Sequence, residues 1–459
     1  MERKLVKLWL SFLAGCALFS PVIAAADPLL EQTKQAGYSV PKKDLPAAAI
    51  VIEAENGQIL WEQDAEKKID PAELSNLMTI YLTLEAVKKG SFTMDTVVTA
   101  TATHAAIAQL PELNNKPIIA GVAYSVRDLL QLTASTSSNV AAIMLSNLIA
   151  EQDSDFVGQM NAQAKKLGMT QTVFNTVSGI PASQFNAYYQ PEGYELDASN
   201  QSTAKDLAIL SYHLLRNHPE ILTLTKESSF KVLPDSLYEE TFKNNNLALP
   251  GKSFAVSGTD GLKISSSETF HSITTTRRKG MRVITVVLGV GKATQATSRR
   301  SLYAVNSTLI EKAFADYEYA EVLTAGEQFV NQQKVTVAND FYAVVKKGTT
   351  PELTIGQEFI TLTDALPVIA KTTFPLAVSY TEDLSESKLR PVLLFLLESI
   401  RVTKLTIIAL GWLVMGALFS VVALFIPRQE EEDTRQIVLY AGLGLVGLSL
   451  VTLFLQYLF

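Results

Sequence analysis

Asp70–Thr79 reads DPAELSNLMT, and the rest of the chain is organised around it. Pro71 suits the first turn of a helix, where its missing N–H costs nothing. The run that follows, from about Leu74 to Lys89, closes at Gly90. Leu74, Leu77, Met78, Tyr81, Leu82, Leu84, Glu85 and Val87 give it a broad apolar face, as in a helix buried at a domain centre. Just upstream, Leu45–Gln63 reads as a hairpin. Ala48–Ile52 is a short apolar run, Asn56-Gly57 offers the positive-φ pair of a tight turn, and Ile59-Leu60-Trp61 returns.

Downstream, YSVRDLLQL (Tyr124–Leu132) and NVAAIMLSNLI (Asn139–Ile149) read as two further helices, separated by Ser135-Thr136-Ser137-Ser138-Asn139. Phe156–Leu167, ended by Gly168, and Ala198–Arg216 read as two more. Val256–Ser265 and the β-branched Arg282–Gly289 have strand character, and Arg299–Tyr317 is a helix able to lie across the sheet. Strands at both ends of a unit with helices between them imply an α/β (α+β) sandwich around one mostly antiparallel sheet. From Ala320 to Thr381 the texture changes to short β-rich runs at Lys334–Val337, Phe341–Lys346, Glu358–Leu362 and Leu376–Tyr380, which implies a small β domain. Asp383–Lys404 is a polar linker entering an amphipathic stretch. Leu405–Ile426 and Ile437–Phe459 carry no charge, and each is long enough to span ~30 Å of hydrocarbon as a helix.

The 459 residues are 47% hydrophobic, an excess that these C-terminal segments and the N-terminus account for. A net charge of −7 argues against a nucleic-acid partner, since phosphate binding needs a basic footprint. The N-terminal 26 residues read as a signal peptide: Arg3, Lys4 and Lys7, an apolar core, and Ala24-Ala25-Ala26 as cleavage site. Lipidation at Cys16, or an uncleaved anchor, is the alternative. Every one of these readings places the bulk of the chain outside the cytoplasm, and the mature chain without an internal disulfide. The four histidines have no metal-ligand spacing, and no cofactor is expected. The expected division is therefore 1–26 signal, 27–319 main domain, 320–382 β domain, 383–404 linker, and membrane helices at 405–426 and 437–459.

Several stretches carry a resemblance to one family. AAAIVIEAENGQILWEQDAEKKIDPAEL, YSVRDLLQLTASTSSNVAAIML and FVGQMNAQAKKLGMTQTVFNTVSG resemble segments of the penicillin-binding D-alanyl-D-alanine carboxypeptidases (low-molecular-mass, peptidase S11 type), and Lys88-Lys89-Gly90 closes the central helix as it does there. The resemblance covers about Ala47–Tyr317 and implies that family's fold. Its active members carry Ser-x-x-Lys at the start of the central helix, a Ser-x-Asn, and a Lys-Thr-Gly strand. The Ser is acylated, and the Lys one turn on takes its proton because the two share a helix face.

In the same register this chain has Glu73 at the nucleophile position and Asn76 at the base position. Asn has no titratable nitrogen. Ser75 lies ~200° around the helix from position 73, and the residue three beyond it is Met78, so a shifted register also lacks its lysine. Ser137-Ser138-Asn139 keeps the second motif, and Lys263-Ile264-Ser265 keeps only the lysine of the third. The resemblance thus implies a catalytic machinery with no intact member, and a vestigial cleft at Ser137, Asn139 and Lys263 in which Glu73 and Lys263 would face each other and pair. The expected function is a membrane-anchored, extracytoplasmic homologue that binds peptidoglycan peptide or scaffolds an integral-membrane wall-synthesis protein. In the second role small residues such as Gly416, Ser420, Gly442 and Gly444 would give the contact surface. The alternative is a working serine-type carboxypeptidase using Ser137 or Ser75.

Overall fold

The computed structural model describes residues 28–111, 113, 115–369, 376–382, 389–425 and 432–458. The expected signal peptide, and residues 383–388 of the expected linker, lie outside the described residues.

Five strands form the main sheet: β1 (Ala48–Glu53), β2 (Ile59–Gln63), β3 (Thr259–Ser266), β4 (Phe270–Arg278) and β5 (Met281–Val290), in the spatial order β2-β1-β5-β4-β3. Every pairing is antiparallel, with Ile50 opposite Val286 and Lys263 opposite Ile273. Side chains alternate across a strand, so one apolar run can feed two cores. Ala48, Ile50 and Ile52 face a large helical core that also takes Ile284, Val286 and Leu288. Ala49 and Val51, with Val283 and Val287, face Leu302, Val305 and Leu309 of the long helix Ala296–Asp316. The expected α/β sandwich is the observed architecture.

The helical layer holds the central helix Asn76–Lys88 together with Val126–Thr136, Asn139–Ile149, Asp153–Leu167 and Ala204–Asn217. The central helix is preceded by a 3-10 turn, Ala72–Ser75, so the helix expected from Leu74 is regular only from Asn76. The Asn56-Gly57 turn also differs from expectation. Asn56 is absent from the positive-φ residues, and the connection is wider than a two-residue turn. Both carboxylate oxygens of Glu53 accept backbone N–H groups, from Glu55 and Asn56, each at 2.8 Å. The acid side chain, rather than a two-residue turn, closes the hairpin, and burial pushes its carboxyl up to about 7.

The described chain divides into two compact units, residues up to 324 with 340–378, and residues 325–339 with 379–459. The expected β domain, 320–382, therefore contributes to both. In the first unit Tyr317–Leu323 pairs with Phe341–Lys346, and Val344 donates its N–H to Gln58 Oε1 at 3.0 Å. In the second unit Gly326–Val330 pairs with Gln333–Val337, which pairs with residues 380–382. The second unit also contains two long helices, Leu389–Phe425 and Glu432–Leu458. Part of the expected linker is thus continuous with the first apolar helix. Residues 406–425 and 434–454 are long and apolar enough to cross a membrane. The two helices meet at small residues: a Cβ on Gly416 would lie 2.7 Å from the Gly442 carbonyl, and one on Gly442 would lie 2.7 Å from the Gly416 carbonyl. Ser449 Oγ donates to the Ala409 carbonyl at 2.7 Å. Gly416, Gly442 and Ser420, expected to be available to a partner, are occupied inside the hairpin. Gly444 has open space around it.

Candidate active site

The loop into the central helix is tightly held. Ala72 takes a left-handed conformation, φ 46°, and donates its N–H to Asp70 Oδ1 at 2.9 Å. Gly179 lies against it so closely that a Cβ there would stand 1.9 Å from the Ala72 carbonyl oxygen, and its own φ is +93°. Only glycine fits both demands. One turn into the helix, Thr79 Oγ1 donates to the Val177 carbonyl at 2.8 Å. The segment 176–180 therefore fixes the position of Glu73.

Glu73 is 2% exposed, and its Oε2 accepts a hydrogen bond of 2.6 Å from Ser265 Oγ. Burial pushes the carboxyl above the usual range, opposed by the Ser265 hydrogen bond and by the charge of Lys263. Lys263 does not pair with it among the described residues. Its Nζ donates to the Thr133 carbonyl at 2.6 Å and to Ser137 Oγ at 2.8 Å. Burial lowers the Lys263 ammonium well below the usual lysine range. The expected Glu73–Lys263 pair is therefore replaced by two separate contacts. Lys263 and Ser265 are two residues apart on β3 and share a strand face, so one reaches the end of a helix and the other meets the acid.

Ser137 caps the helix Val126–Thr136 in a left-handed conformation, φ 59°, and its hydroxyl donates to the Ile264 carbonyl at 3.0 Å. Thr133 lies in that helix's last turn, where carbonyls lack N–H partners, so the Lys263 ammonium meets the negative end of the helix dipole. Asn139 opens the next helix and Asn76 the central one; among the described residues neither side-chain amide has a hydrogen-bond partner, nor has Ser75 Oγ. The structure thus joins Glu73 to Ser265 and Lys263 to Ser137, while Asn76, Asn139 and Ser75 stay buried outside those contacts. No group of three His, Cys, Asp or Glu able to hold a metal occurs among the described residues.

Beside Glu73 lies a cleft of about 710 Å³ whose wall includes Asp70, Gly179, Ser199, Glu268 and His271. His271 is a residue that the sequence did not single out. Its Nδ1 accepts the Gly289 N–H at 3.2 Å, which leaves the proton on Nε2, facing Thr269 Oγ1 at 3.0 Å. Burial lowers it to about 4. Ser265 and Thr133 were also not read as partners of Glu73 and Lys263; a carbonyl acceptor leaves no mark in a sequence.

Comparison with known proteins bears on this geometry. The family model described as D-alanyl-D-alanine carboxypeptidase matches residues 37–292, and a second, described only as a domain of unknown function, matches residues 319–381. The chain is 30% identical over 322 residues to the D-alanyl-D-alanine carboxypeptidase DacC of Escherichia coli, covering 69% of this chain and 70% of that protein. It is 28% identical over 324 residues to DacF of Bacillus subtilis, covering 70% and 71%. Among solved structures it resembles a peptidoglycan synthesis regulatory factor (PBP3) from Streptococcus pneumoniae, with a TM-score of 0.62, 25% identity, and coverage of 73% of this chain and 98% of that one. The chain belongs to the D-alanyl-D-alanine carboxypeptidase family of penicillin-binding proteins.

Proposed function

We propose that this member of the family is catalytically silent, is held at the outer face of a membrane by its C-terminal hairpin, and serves cell-wall metabolism by binding a wall component or scaffolding another wall protein. One observation carries the reading. Glu73, to which the sequence register gives the position of the family's acylated serine, is buried, with a carboxylate oxygen already bonded to Ser265. An acyl-transfer site needs an activated nucleophile within reach of a base. Here the base position holds Asn76, and the lysine of the third motif is turned to a helix end. Removing a nucleophile costs on the order of 10⁶ in turnover, and its partner adds little because the two act as a unit. The two apolar helices support the membrane attachment. A partner in the membrane would meet the hairpin on the Gly444 side, since Gly416 and Gly442 are used against each other.

A second reading rests on the 2.8 Å separation of Lys263 Nζ and Ser137 Oγ, in which a neutral Lys263 would activate Ser137 as nucleophile. Against it, both residues are 1% exposed, and the Ser137 proton is directed to the Ile264 carbonyl. Incubation of the full chain with a fluorescent penicillin separates the two. The silent reading expects no covalent band. A band that disappears in Ser137→Ala establishes the second reading.

A further inference from the structure

Two cavities lie along the helix Ala296–Asp316, the first of them also against β3 at Ile264 and Ser265. The first, about 380 Å³, is lined by Lys243, Lys252 and Arg299 together with Asn245 and Ser266. The second, about 550 Å³, is lined by Arg300, Tyr38 and a set of serine and threonine hydroxyls. Tyr303 is a wall of both, so the two adjoin. Neither wall contains an aspartate or glutamate among the described residues. Lys243, Lys252, Arg299 and Arg300 take part in no ion pair among those residues, in a chain whose net charge is −7. Arg299 is placed over the Phe270 ring at 5.5 Å, which orients the guanidinium without neutralising it.

Three uncompensated cations around one cavity, with a fourth in the adjoining one, repel one another and attract an anion. A terminal carboxylate needs one guanidinium fork or one ammonium; a phosphate group, with more charge and three acceptor oxygens, uses several. The second cavity adds what a sugar or polyol needs. Tyr38 is 39% exposed, and its hydroxyl bonds Ser307 at 3.1 Å. Phe254 stacks on Tyr303 at 4.8 Å with 6° between planes, which stiffens the shared wall. An exposed aromatic face beside a row of hydroxyls suits the apolar face and hydroxyl rim of a carbohydrate.

We propose that these adjoining cavities form a groove that binds a phosphate-bearing saccharide or polyol, with the phosphate among Lys243, Lys252 and Arg299 and the hydroxylated part along Arg300 and Tyr38. The first cavity borders the candidate site, since Ile264 and Ser265 line it and contact Ser137 and Glu73, but the cations take no part in those contacts; the penicillin result reports acylation alone, so it and the binding result fail separately.

The test uses the full chain in lipid nanodiscs and measures binding by calorimetry. The probes are inorganic phosphate, N-acetylglucosamine 1-phosphate, a glycerol-phosphate oligomer, and a peptide ending in D-alanyl-D-alanine. The sugar or polyol phosphates are expected to bind, more weakly as salt rises, and about tenfold more weakly in each of Lys252→Gln, Arg299→Gln and Arg300→Gln. Repeating the measurement with a lipid-linked sugar diphosphate in the nanodisc separates the sources: tighter binding than the soluble oligomer assigns the groove to a membrane precursor, and the reverse assigns it to a soluble polymer. The three variants lie in exposed or half-exposed positions, so loss of fold in one leaves two. The proposal is overturned if no phosphate probe binds, if the variants bind as the parent does, or if the peptide carboxylate binds as well as the phosphates.

Discussion

Replacing Lys263 by Met tests whether Glu73 and Lys263 support each other although they do not touch. Lys263 is 1% exposed and makes charge-assisted bonds of 2.6 Å to the Thr133 carbonyl and 2.8 Å to Ser137 Oγ. Such bonds contribute ~1.5–3 kcal/mol each. Met keeps the apolar stem but removes both, returns part of the cost of burying an ammonium, and leaves Glu73 without its countercharge. The expected loss is ~3–5 kcal/mol, the range for breaking a buried charge arrangement from one side. Glu73→Gln keeps an acceptor for Ser265 and removes the charge, at an expected ~1–2 kcal/mol. In the double variant no charge is left uncompensated, so its loss should fall short of the sum by ~1–3 kcal/mol. Urea unfolding of all four proteins in the same detergent, followed by tryptophan fluorescence, gives the coupling. Additivity to within ~0.5 kcal/mol would show that the two groups are independent and would refute the electrostatic picture of the site.

Two further perturbations follow from the same structure. Glu53, held at about 7 rather than its ordinary 4.5, keeps in the folded state a proton that the unfolded chain gives up. Its contribution to stability is therefore present at low pH and is lost as pH rises through about 4.5 to 7, by ~3 kcal/mol, and Glu53→Gln should remove that slope in thermal unfolding followed against pH. His271, lowered to about 4, acts with the opposite sign: the unfolded chain binds the extra proton, so stability rises with pH through about 4 to 6.5, and His271→Gln should flatten that limb. Gly179→Ala places a Cβ 1.9 Å from the Ala72 carbonyl at a φ of +93°, and should cost at least ~3 kcal/mol in chemical unfolding; a loss under ~1 kcal/mol would show that the loop holding Glu73 is not held by this contact.

Much of the fold was legible because its core is written in strong periods. β1 and β5 read as strands because they are buried on both faces and almost wholly apolar or β-branched. The central helix read as a helix because its apolar face is broad. β4 was missed. Its buried positions include Ser272, Thr274, Thr275 and Thr276, whose polarity masks an interior strand. The three threonine hydroxyls find partners on other elements, as when Thr274 Oγ1 donates to Asn306 Oδ1 at 2.8 Å, while Ser272 Oγ has none among the described residues, and nothing local announces either outcome. The turn at Asn56-Gly57 misled for a similar reason: the Glu53 carboxylate took over the closure that a positive-φ pair would otherwise provide.

At the candidate site, the sequence named the residues but not their pairing. Glu73, Ser137 and Lys263 all reach one region, yet the alternation along β3 offered Glu73 two neighbours on the same strand face, Lys263 and Ser265. The lysine's longer reach, together with the unpaired carbonyl of Thr133, drew it to the helix end and left the serine to the acid. The small residues of the hairpin were likewise visible, but whether they faced each other or a partner depended on the packing of the two helices.

The most direct measurement is release of D-alanine from a peptide ending in D-alanyl-D-alanine by the purified full chain, followed over hours at high enzyme concentration. The account predicts release no faster than in buffer, since it assigns the acylation position to Glu73, whose carboxylate is bonded to Ser265. Release above that background, abolished by Ser137→Ala, would contradict it.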